Sequence, residues 1–194
     1  MSTLHSHTTA DFIDWNAMLV IVRKLYKDKK YRLSLLLGSG CFFGLRISDL
    51  LRLTWADILG DKFVIIEKKT GKRREVRINQ GFQAHIRDCY EALGIRDEFE
   101  HCFLNKYGSV MSVQMVNRHL KAIKDKYGLK IDHISSHSFR KTFGRKVVEN
   151  AGEQSEMALI KLSEVFNHAS PMVTRRYLGL RSEELQQLYD GLYF

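Results

Sequence analysis

The sequence predicts a mainly α-helical α+β fold with one small antiparallel β-sheet. Apolar residues recur at the three- and four-residue spacing of amphipathic helices over most of the chain, and two short β-rich runs flank a turn. The 194 residues, of which 44% are hydrophobic, suffice for one sizeable core and do not suggest a division into two. We therefore expect residues 1–194 to form a single domain.

Helices are predicted on the N-terminal side of a β-hairpin. Helical apolar spacing covers residues 11–27 and 31–43 and ends near Gly44, where a helix can break or turn. Residues 45–53 resume as a helical segment. The runs KFVIIE and REVRI then flank the basic sequence KKTGK, so residues 62–79 are expected to form a hairpin with a basic tip.

The rest of the chain is expected to be helical except for one short strand. Residues 82–93 and 112–127 carry apolar stripes at helical spacing, and residues 102–104 form a short β-rich run. Gly128 and Gly152 lie where C-terminal caps of two helices are expected. Ser170 is expected to be an N-cap, with Pro171 as the first helical residue.

The charge balance indicates a polyanionic partner. The chain has 31 Lys and Arg against 22 Asp and Glu, a formal net charge of +9, and a pI near 9.5. Nucleic acid is the leading candidate, and an anionic membrane surface or a charge that serves only solubility are the alternatives.

No membrane-inserted or disulfide-bonded class of protein is indicated. No apolar run approaches the roughly 20 residues that span a bilayer, and the start MSTLHSHTTADF has no signal-peptide core, so we expect a cytoplasmic protein. Cys41, Cys89 and Cys102 are odd in number and lack C-x-x-C spacing. They are predicted to be buried small hydrophobic residues, without a disulfide or a zinc site.

Three segments carry candidate groups for breaking a phosphodiester without a metal. Such a reaction needs positive charge on the non-bridging oxygens, a nucleophile, and a proton donor for the leaving oxygen. In the first segment, GLRISDLLRL, Arg46 enters an apolar helix three residues before Asp49, which is placed to orient it. A solvated arginine in a local salt bridge is the alternative explanation.

The second segment, SHSFRKT, places His137 and Arg140 three residues apart near a helix start. Backbone N–H groups at a helix start favour an anion, so a phosphate is a plausible ligand for this pair. A surface His/Arg pair is the alternative. The acidic residues are scattered among lysines and arginines rather than clustered, which disfavours a two-metal nuclease.

The third segment, NHASPMVTRRY, places His168 nine residues before Tyr177. A phenol with a pKa near 10 is a poor nucleophile unless a base or cations activate it, and Arg175 and Arg176 add positive charge beside this one. A lone helical tyrosine is more commonly a half-buried packing residue.

Taken together, the order and spacing of these segments resemble the tyrosine recombinases, or phage-type integrases. The resemblance covers about residues 31–181, through GLRISDLLRLTWADI, KTGKRREVRI, HSFRKTFGRKVVENAG and NHASPMVTRRYL. It implies the family's catalytic-domain fold and assigns the catalytic positions to Arg46, Lys69, His137, Arg140, His168 and Tyr177. Lys68 and Lys72 stay open as rivals of Lys69.

The resemblance also implies a mechanism and partners. Arg46 and Arg140 would hold the scissile phosphate while Tyr177 attacks phosphorus, giving a 3′-phosphotyrosine and a free 5′-hydroxyl. His137 would accept the phenol proton, Lys69 would protonate the leaving oxygen, and His168 would bind a phosphate oxygen. Neither a metal nor another cofactor would be needed. The partner would be double-stranded DNA. The protein would be monomeric when free and would assemble on DNA as a homo-tetramer. Its function would be site-specific recombination and DNA integration.

Some features depart from the family pattern. Asn167 stands where the family commonly has glycine, and Lys141 where it often has histidine. Only about 30 residues precede the region of resemblance, so the N-terminal core-binding domain is expected to be absent. The tail, residues 182–194, is predicted to be a helix that packs on the chain's own core, with docking onto a neighbouring protomer as the alternative.

Two other functions stay open at the level of sequence. A catalytically silent DNA-binding regulator on the same fold is disfavoured because all six catalytic positions hold the expected residue type. A type IB topoisomerase, which relaxes supercoiled DNA with similar chemistry, is disfavoured by the short chain and by the HSFRKT sequence.

Overall fold

The computed structural model describes residues 10–190 and 192, and the predictions for residues 1–9, 191, 193 and 194 lie outside it. Contacts between residues group the described chain into two compact units, residues 10–143 and residues from 144 onward. The single domain predicted for residues 1–194 stays a prediction.

The first unit contains most of the helices and the hairpin. Its elements follow in the order α1 Trp15–Lys27, α2 Tyr31–Phe43, α3 Ile47–Leu50, α4 Trp55–Ile58, β1 Lys62–Ile66, β2 Arg73–Arg77, α5 Gln80–Leu93 and α6 Val113–Tyr127. Helix α7, Ser136–Ala151, includes the boundary after Phe143.

All elements in the described part of the second unit are helices or helical turns. After the C-terminal part of α7 come a 3₁₀ turn, Gly152–Gln154, and then α8 Ser155–Phe166, α9 Pro171–Leu178 and α10 Leu180–Asp190. Its buried apolar side chains are Ala158, Leu159, Leu162, Phe166 and Leu178.

The helix caps predicted at Ser170 and Gly128 are confirmed. Ser170 accepts a hydrogen bond from the Val173 N–H at the start of α9, with Pro171 as the first helical residue. Gly128 ends α6 in the left-handed conformation. At the other end of the chain, the Asp14 side chain accepts from the Ala17 N–H, so α1 begins at Trp15 and not at residue 11 as predicted.

The hairpin is confirmed, with a register that runs from Lys62 opposite Arg77 to Ile66 opposite Arg73. Phe63, Ile65 and Val76 are buried in the core, whereas Val64 and Ile66 lie on the other face of the hairpin and are exposed. This sheet and the predominance of helix confirm the predicted fold class.

Two predicted elements are wrong in extent or kind. The helix predicted over residues 45–53 is only Ile47–Leu50, because the chain turns at once toward α4. Residues 102–104 do not form a strand, and isolated bridges pair Thr54 with His101 and Leu104 with Val110 instead. A short apolar run can be buried in a loop as well as in a strand when neighbouring segments bind its backbone N–H and C=O groups, as Leu53 and Met111 do here.

The tail helix differs from the favoured prediction. Side chains from Arg181 to Asp190 are exposed, and Leu188 and Tyr189 keep 68% and 74% of their surface. The predicted packing on the chain's own core is therefore wrong for the described tail residues. Docking onto a neighbouring protomer stays a prediction.

None of the helices within the described part of the chain has both the length and the apolar character needed to cross a bilayer.

The core of the first unit surrounds α2, whose residues from Ser34 to Cys41 are all buried. Cys41, Cys89 and Cys102 are buried as predicted, and burial raises the pKa of the Cys89 thiol to about 12. Among the largest fully buried side chains are Trp55, Phe43, Phe103, Phe139, Met18 and Leu25.

Gly44 ends α2 in the left-handed conformation, with φ of 57°. A Cβ at this position would lie 2.4 Å from Cδ1 of Phe143, a distance that real contacts do not reach. Backbone conformation and packing therefore both favour glycine at the point where the chain passes from α2 to Arg46.

We expect Gly44→Ala to lower the free energy of unfolding by about 3 kcal/mol, because left-handed strain adds to the clash with Phe143. Gly128→Ala is the matched control, since Gly128 also ends a helix at positive φ but has open space around its Cβ position. It should lose only about 1 kcal/mol. Urea unfolding measures both variants, and equal losses would show that packing against Phe143 contributes nothing.

Candidate phosphate-binding and nucleophile sites

Arg46 binds a buried carboxylate that the sequence analysis did not single out. Arg46 is the N-cap residue of α3, and its NH1 donates to Oε2 of Glu67 at 2.5 Å. Glu67 follows β1 directly and is only 4% exposed. A charge-assisted bond of this kind fixes the direction of a guanidinium plane.

Two further arginines bind the C-terminal end of α2. Arg140 NH1 donates to the Gly44 carbonyl at 2.8 Å, and Arg74 NH2 donates to the Phe43 carbonyl at 2.9 Å. Carbonyls at a helix C-terminus carry partial negative charge, which favours cations there. Arg140 is buried, with 6% exposure, so the fold holds this guanidinium in place from α7.

Glu67 is the common counter-charge of these arginines. Burial raises the pKa of Glu67, but hydrogen bonds from Thr70 and Arg46, followed by the charges of Arg46 and Arg140, outweigh that effect and lower the pKa below its ordinary value. Arg74 NH1 lies 3.9 Å from Glu67 Oε1. Glu67 is therefore ionised at neutral pH, with guanidinium groups on several sides.

Asp49 anchors the hairpin. It is completely buried, and its Oδ1 accepts from the Lys68 N–H at 2.9 Å and lies 3.7 Å from Arg52 NH1. The role predicted for it, orienting Arg46, stays a prediction. What the structure adds is a bond from α3 to the base of the turn that carries the candidate lysines.

The predicted proton donor lies on an exposed turn with a closed backbone. Lys68, Lys69 and Lys72 are all exposed, as expected for a basic tip. The Glu67 N–H donates to the Lys72 carbonyl at 3.0 Å, and the Gly71 N–H donates to the Glu67 carbonyl at 2.9 Å. The lysine positions are therefore set by a compact turn.

His137 is the second residue of α7, one turn before Arg140, so the predicted placement near a helix start is confirmed. Partial desolvation of the ring, and then the positive charges of Lys141 and Arg140, lower the pKa of His137 below its ordinary value. The imidazole is neutral at pH 7 and able to accept a proton.

In the second unit, His168 and Tyr177 are in contact. Their ring centroids are 5.2 Å apart in an edge-to-face arrangement, and Phe166 packs against the Tyr177 ring at 5.9 Å. His168 Nδ1 shares a hydrogen bond of 2.9 Å with Thr174 Oγ1. Because Thr174 lies within α9, the helix that carries Tyr177 also orients the histidine.

The positive charge predicted beside Tyr177 is partly compensated. Arg175 forms ion pairs with Glu156 and Glu184 in the same unit, so its positive charge is balanced by two carboxylates. Arg176 is exposed. The sequence prediction that both arginines add charge near the phenol therefore needs correction at Arg175.

The six predicted residues fall into two sets. Arg46, Lys69, His137 and Arg140 belong to the first unit, and His168 and Tyr177 belong to the second. Sequence reasoning missed Glu67 and Arg74, because a charged residue in a hairpin with a basic tip is usually solvated. Among the described residues, no group of three or more His, Cys, Asp or Glu side chains is arranged to hold a metal ion.

The family is established by comparison with known proteins. A model of the phage integrase family matches residues 11–184. The chain belongs to this family, and the resemblance found in its motifs is confirmed.

Two named relatives share moderate sequence identity with this chain. A probable integrase/recombinase, YoeC of Bacillus subtilis, is 29% identical over 170 residues, which are 87% of this chain and 88% of that protein. Tyrosine recombinase XerC of Rickettsia bellii is 30% identical over 148 residues, which are 75% of this chain and 46% of the relative. The chain thus spans most of the first and less than half of the second.

Solved structures share the fold at low identity. XerA recombinase has a TM-score of 0.68 at 17% identity, over 94% of this chain and 66% of that one. XerH recombinase in a post-cleavage complex with a palindromic difH substrate has a TM-score of 0.66 at 18% identity, over 98% and 55%. The catalytic core of lambda integrase has a TM-score of 0.53 at 17% identity, over 87% and 91%. The fold is that of a tyrosine recombinase catalytic domain.

Proposed function

We propose that this protein carries out site-specific DNA recombination, in which it cleaves and rejoins DNA strands through a 3′-phosphotyrosine at Tyr177. The observation that carries the proposal is that Arg46 and Arg140, in a chain of the phage integrase family, both act on one buried anion, Glu67. Groups that gather around a carboxylate in the DNA-free protein are suited to a phosphate oxygen when DNA is bound.

In the proposed reaction, Arg46 and Arg140 bind the non-bridging oxygens of the scissile phosphate. Guanidinium groups suit this task because their planar N–H donors match pairs of oxygens and stay charged at all relevant pH values. As the phosphorus becomes five-coordinate, charge on these oxygens grows, and donors already in place stabilise it without reorganisation.

The covalent step exchanges one phosphate ester for another. Tyr177 Oη forms a bond to phosphorus, the bond from phosphorus to the 5′-oxygen breaks, and the phenol proton passes to His137. Lys69 supplies a proton to the departing 5′-oxygen, while His168 donates to a non-bridging oxygen. Because an ester is conserved, attack by another 5′-hydroxyl reverses the step and rejoins a strand, and no ATP is consumed.

Double-stranded DNA is the proposed partner, bound by four copies that are monomeric when free, with integration of a mobile element as the biological context. The net charge of +9 favours binding to a polyanion. The named relatives include an integrase/recombinase, and the XerH structure holds its difH substrate.

A capture experiment tests this function without knowledge of the target site. The protein is incubated with 5′-labelled duplexes that carry a nick flanked by randomised sequence, so that the small fragment diffuses away after cleavage. We expect a labelled species that resists SDS and is removed by protease, in the presence of EDTA. Binding without any such species would favour the silent regulator, and relaxation of plasmids of any sequence would favour the topoisomerase.

Single replacements decide which lysine is the proton donor. We expect Lys69→Ala to slow cleavage about 100-fold, and Lys68→Ala and Lys72→Ala to stay within about threefold of the wild type. A substrate with sulfur in place of the bridging 5′-oxygen should restore Lys69→Ala, because a thiolate leaves without a proton. A Lys69→Ala variant that cleaves the normal substrate at the wild-type rate would exclude this lysine.

The pH dependence of cleavage reports on His137. Because the pKa of His137 is lowered from 6.5, the ring accepts a proton at neutral pH, and the rate should fall on the acid side with a midpoint below 6.5. His137→Gln should be about 10- to 100-fold slower and lack this acid limb. His133→Gln, at an exposed residue before α7, is the control. An unchanged acid limb in His137→Gln would assign the titration to another group.

A further inference from the structure

The carboxylate of Glu67 connects two groups to which the proposed function gives separate tasks. Its Oε2 atom accepts from Arg46 NH1 at 2.5 Å and from Thr70 Oγ1 at 2.9 Å. Thr70 directly follows Lys69 in the turn, and its hydroxyl also accepts from the Lys72 N–H at 3.3 Å. One oxygen atom thus joins the guanidinium of Arg46 to the turn that carries the candidate lysines.

The burial of Glu67 makes this connection rigid. A carboxylate that is 96% removed from solvent must keep its hydrogen bonds, since water does not replace them when they break. The backbone at the same residue is fixed as well, through its bonds to Lys72 and Gly71. The next residue, Lys68, is bonded through its N–H to buried Asp49.

The charges around Glu67 explain why the site holds a carboxylate at this point. Arg46, Arg74 and Arg140 would repel one another in a poorly hydrated place, and Glu67 is the counter-charge that acts on all three. Arg46 has five N–H donors in one plane, so a bond at NH1 sets the direction of the others.

We propose that Glu67 is a positioning residue that orients Arg46 and, through Thr70, fixes the turn of Lys69, so that the phosphate-binding and proton-donating groups are set together. The inference rests on the proposed function and deepens it. Glu67 does not touch the DNA in this account. The positioning effect proposed here passes through its hydrogen bonds to Arg46 and Thr70.

Two substitutions separate the two connections. Glu67→Gln keeps the shape of the side chain but removes the charge that holds Arg46, and we expect cleavage to slow about 100-fold. Thr70→Val removes only the hydroxyl that joins the turn to Glu67, and we expect a loss of about tenfold. Glu75→Gln is the matched control, because Glu75 is a carboxylate of the same hairpin that is 39% exposed and paired with Lys62.

The substrate with a bridging 5′-sulfur distinguishes positioning from a general loss of structure. Thr70→Val should return to within about twofold of the wild type on this substrate, because only protonation of the leaving group is impaired. Glu67→Gln should stay at least about tenfold slower, because Arg46 is still misdirected. Equal losses on both substrates in both variants would mean that Glu67 contributes only to stability, and would overturn the proposal.

A measurement on the DNA-free protein keeps this proposal separate from the recombinase function. In a ¹⁵N-arginine spectrum, Glu67→Gln should shift the Nε–H signal of Arg46, and Glu75→Gln should leave it in place. If the wild type forms no covalent species with DNA, the recombinase function fails. The Arg46 Nε–H signal then decides by itself whether Glu67 orients Arg46. An Arg46 signal that is the same in Glu67→Gln and wild type would overturn the positioning role.

Discussion

The Tyr177→Phe variant is expected to form no covalent species with nicked DNA, a loss of at least about 10³-fold, while its DNA affinity stays within about twofold of the wild type. The substitution removes only the hydroxyl oxygen that would bond to phosphorus. The ring contacts of Tyr177 with His168 and Phe166 remain, so the fold should be unaffected. The measurement is the yield of SDS-resistant species beside a filter-binding curve.

Tyr189→Phe is the matched control for the nucleophile. Tyr189 lies on α10, is 74% exposed and keeps its ring in the variant. It should yield as much covalent species as the wild type. If Tyr177→Phe formed the covalent species at the normal rate, another residue would be the nucleophile and the proposed mechanism would fail.

Arg140→Lys is expected to slow cleavage by about 30- to 1000-fold, which corresponds to the loss of about 2–4 kcal/mol of transition-state stabilisation. Lysine keeps the charge but lacks the planar fork, so it does not bind the Gly44 carbonyl and a phosphate oxygen in one geometry. DNA affinity should change little, since many other phosphate contacts contribute to it. Single-turnover cleavage rates measure the loss.

Arg32→Lys controls for the removal of a structural arginine. Arg32 NH1 donates to the Cys102 carbonyl at 2.8 Å, the same kind of bond that Arg140 makes, and Arg32 also pairs with Glu100. This variant should lose stability but not the cleavage rate per folded molecule. A normal cleavage rate in Arg140→Lys would remove Arg140 from the proposed phosphate site.

The parts of the fold that local patterns determine were predictable from the sequence. The β-rich runs KFVIIE and REVRI around the turn sequence KKTGK predict the hairpin, and Ser170 before Pro171 predicts the start of α9, because these signals involve neighbouring residues only. The exposed tail helix was not predictable in the same way. Apolar spacing at Leu185 and Leu188 shows that a face exists but does not determine what covers it.

The candidate site shows the same division. The motif residues were found through the family resemblance, which places Arg46 and Arg140 without any knowledge of distance. Glu67 was missed because its burial depends on Arg46, which lies 21 positions away in the chain, and on the charge of Arg140. A glutamate before two lysines is usually solvated, and only the tertiary structure reverses that expectation.

The most direct test of the central claim is to identify the atoms that join protein and DNA in the captured species. The species is digested with trypsin and nucleases, and the modified peptide is sequenced by mass spectrometry. We predict a nucleotide attached through its 3′-phosphate to Tyr177, together with a 5′-hydroxyl on the released strand. Attachment to any other residue, or a 5′-phosphate linkage to Tyr177, would contradict the account.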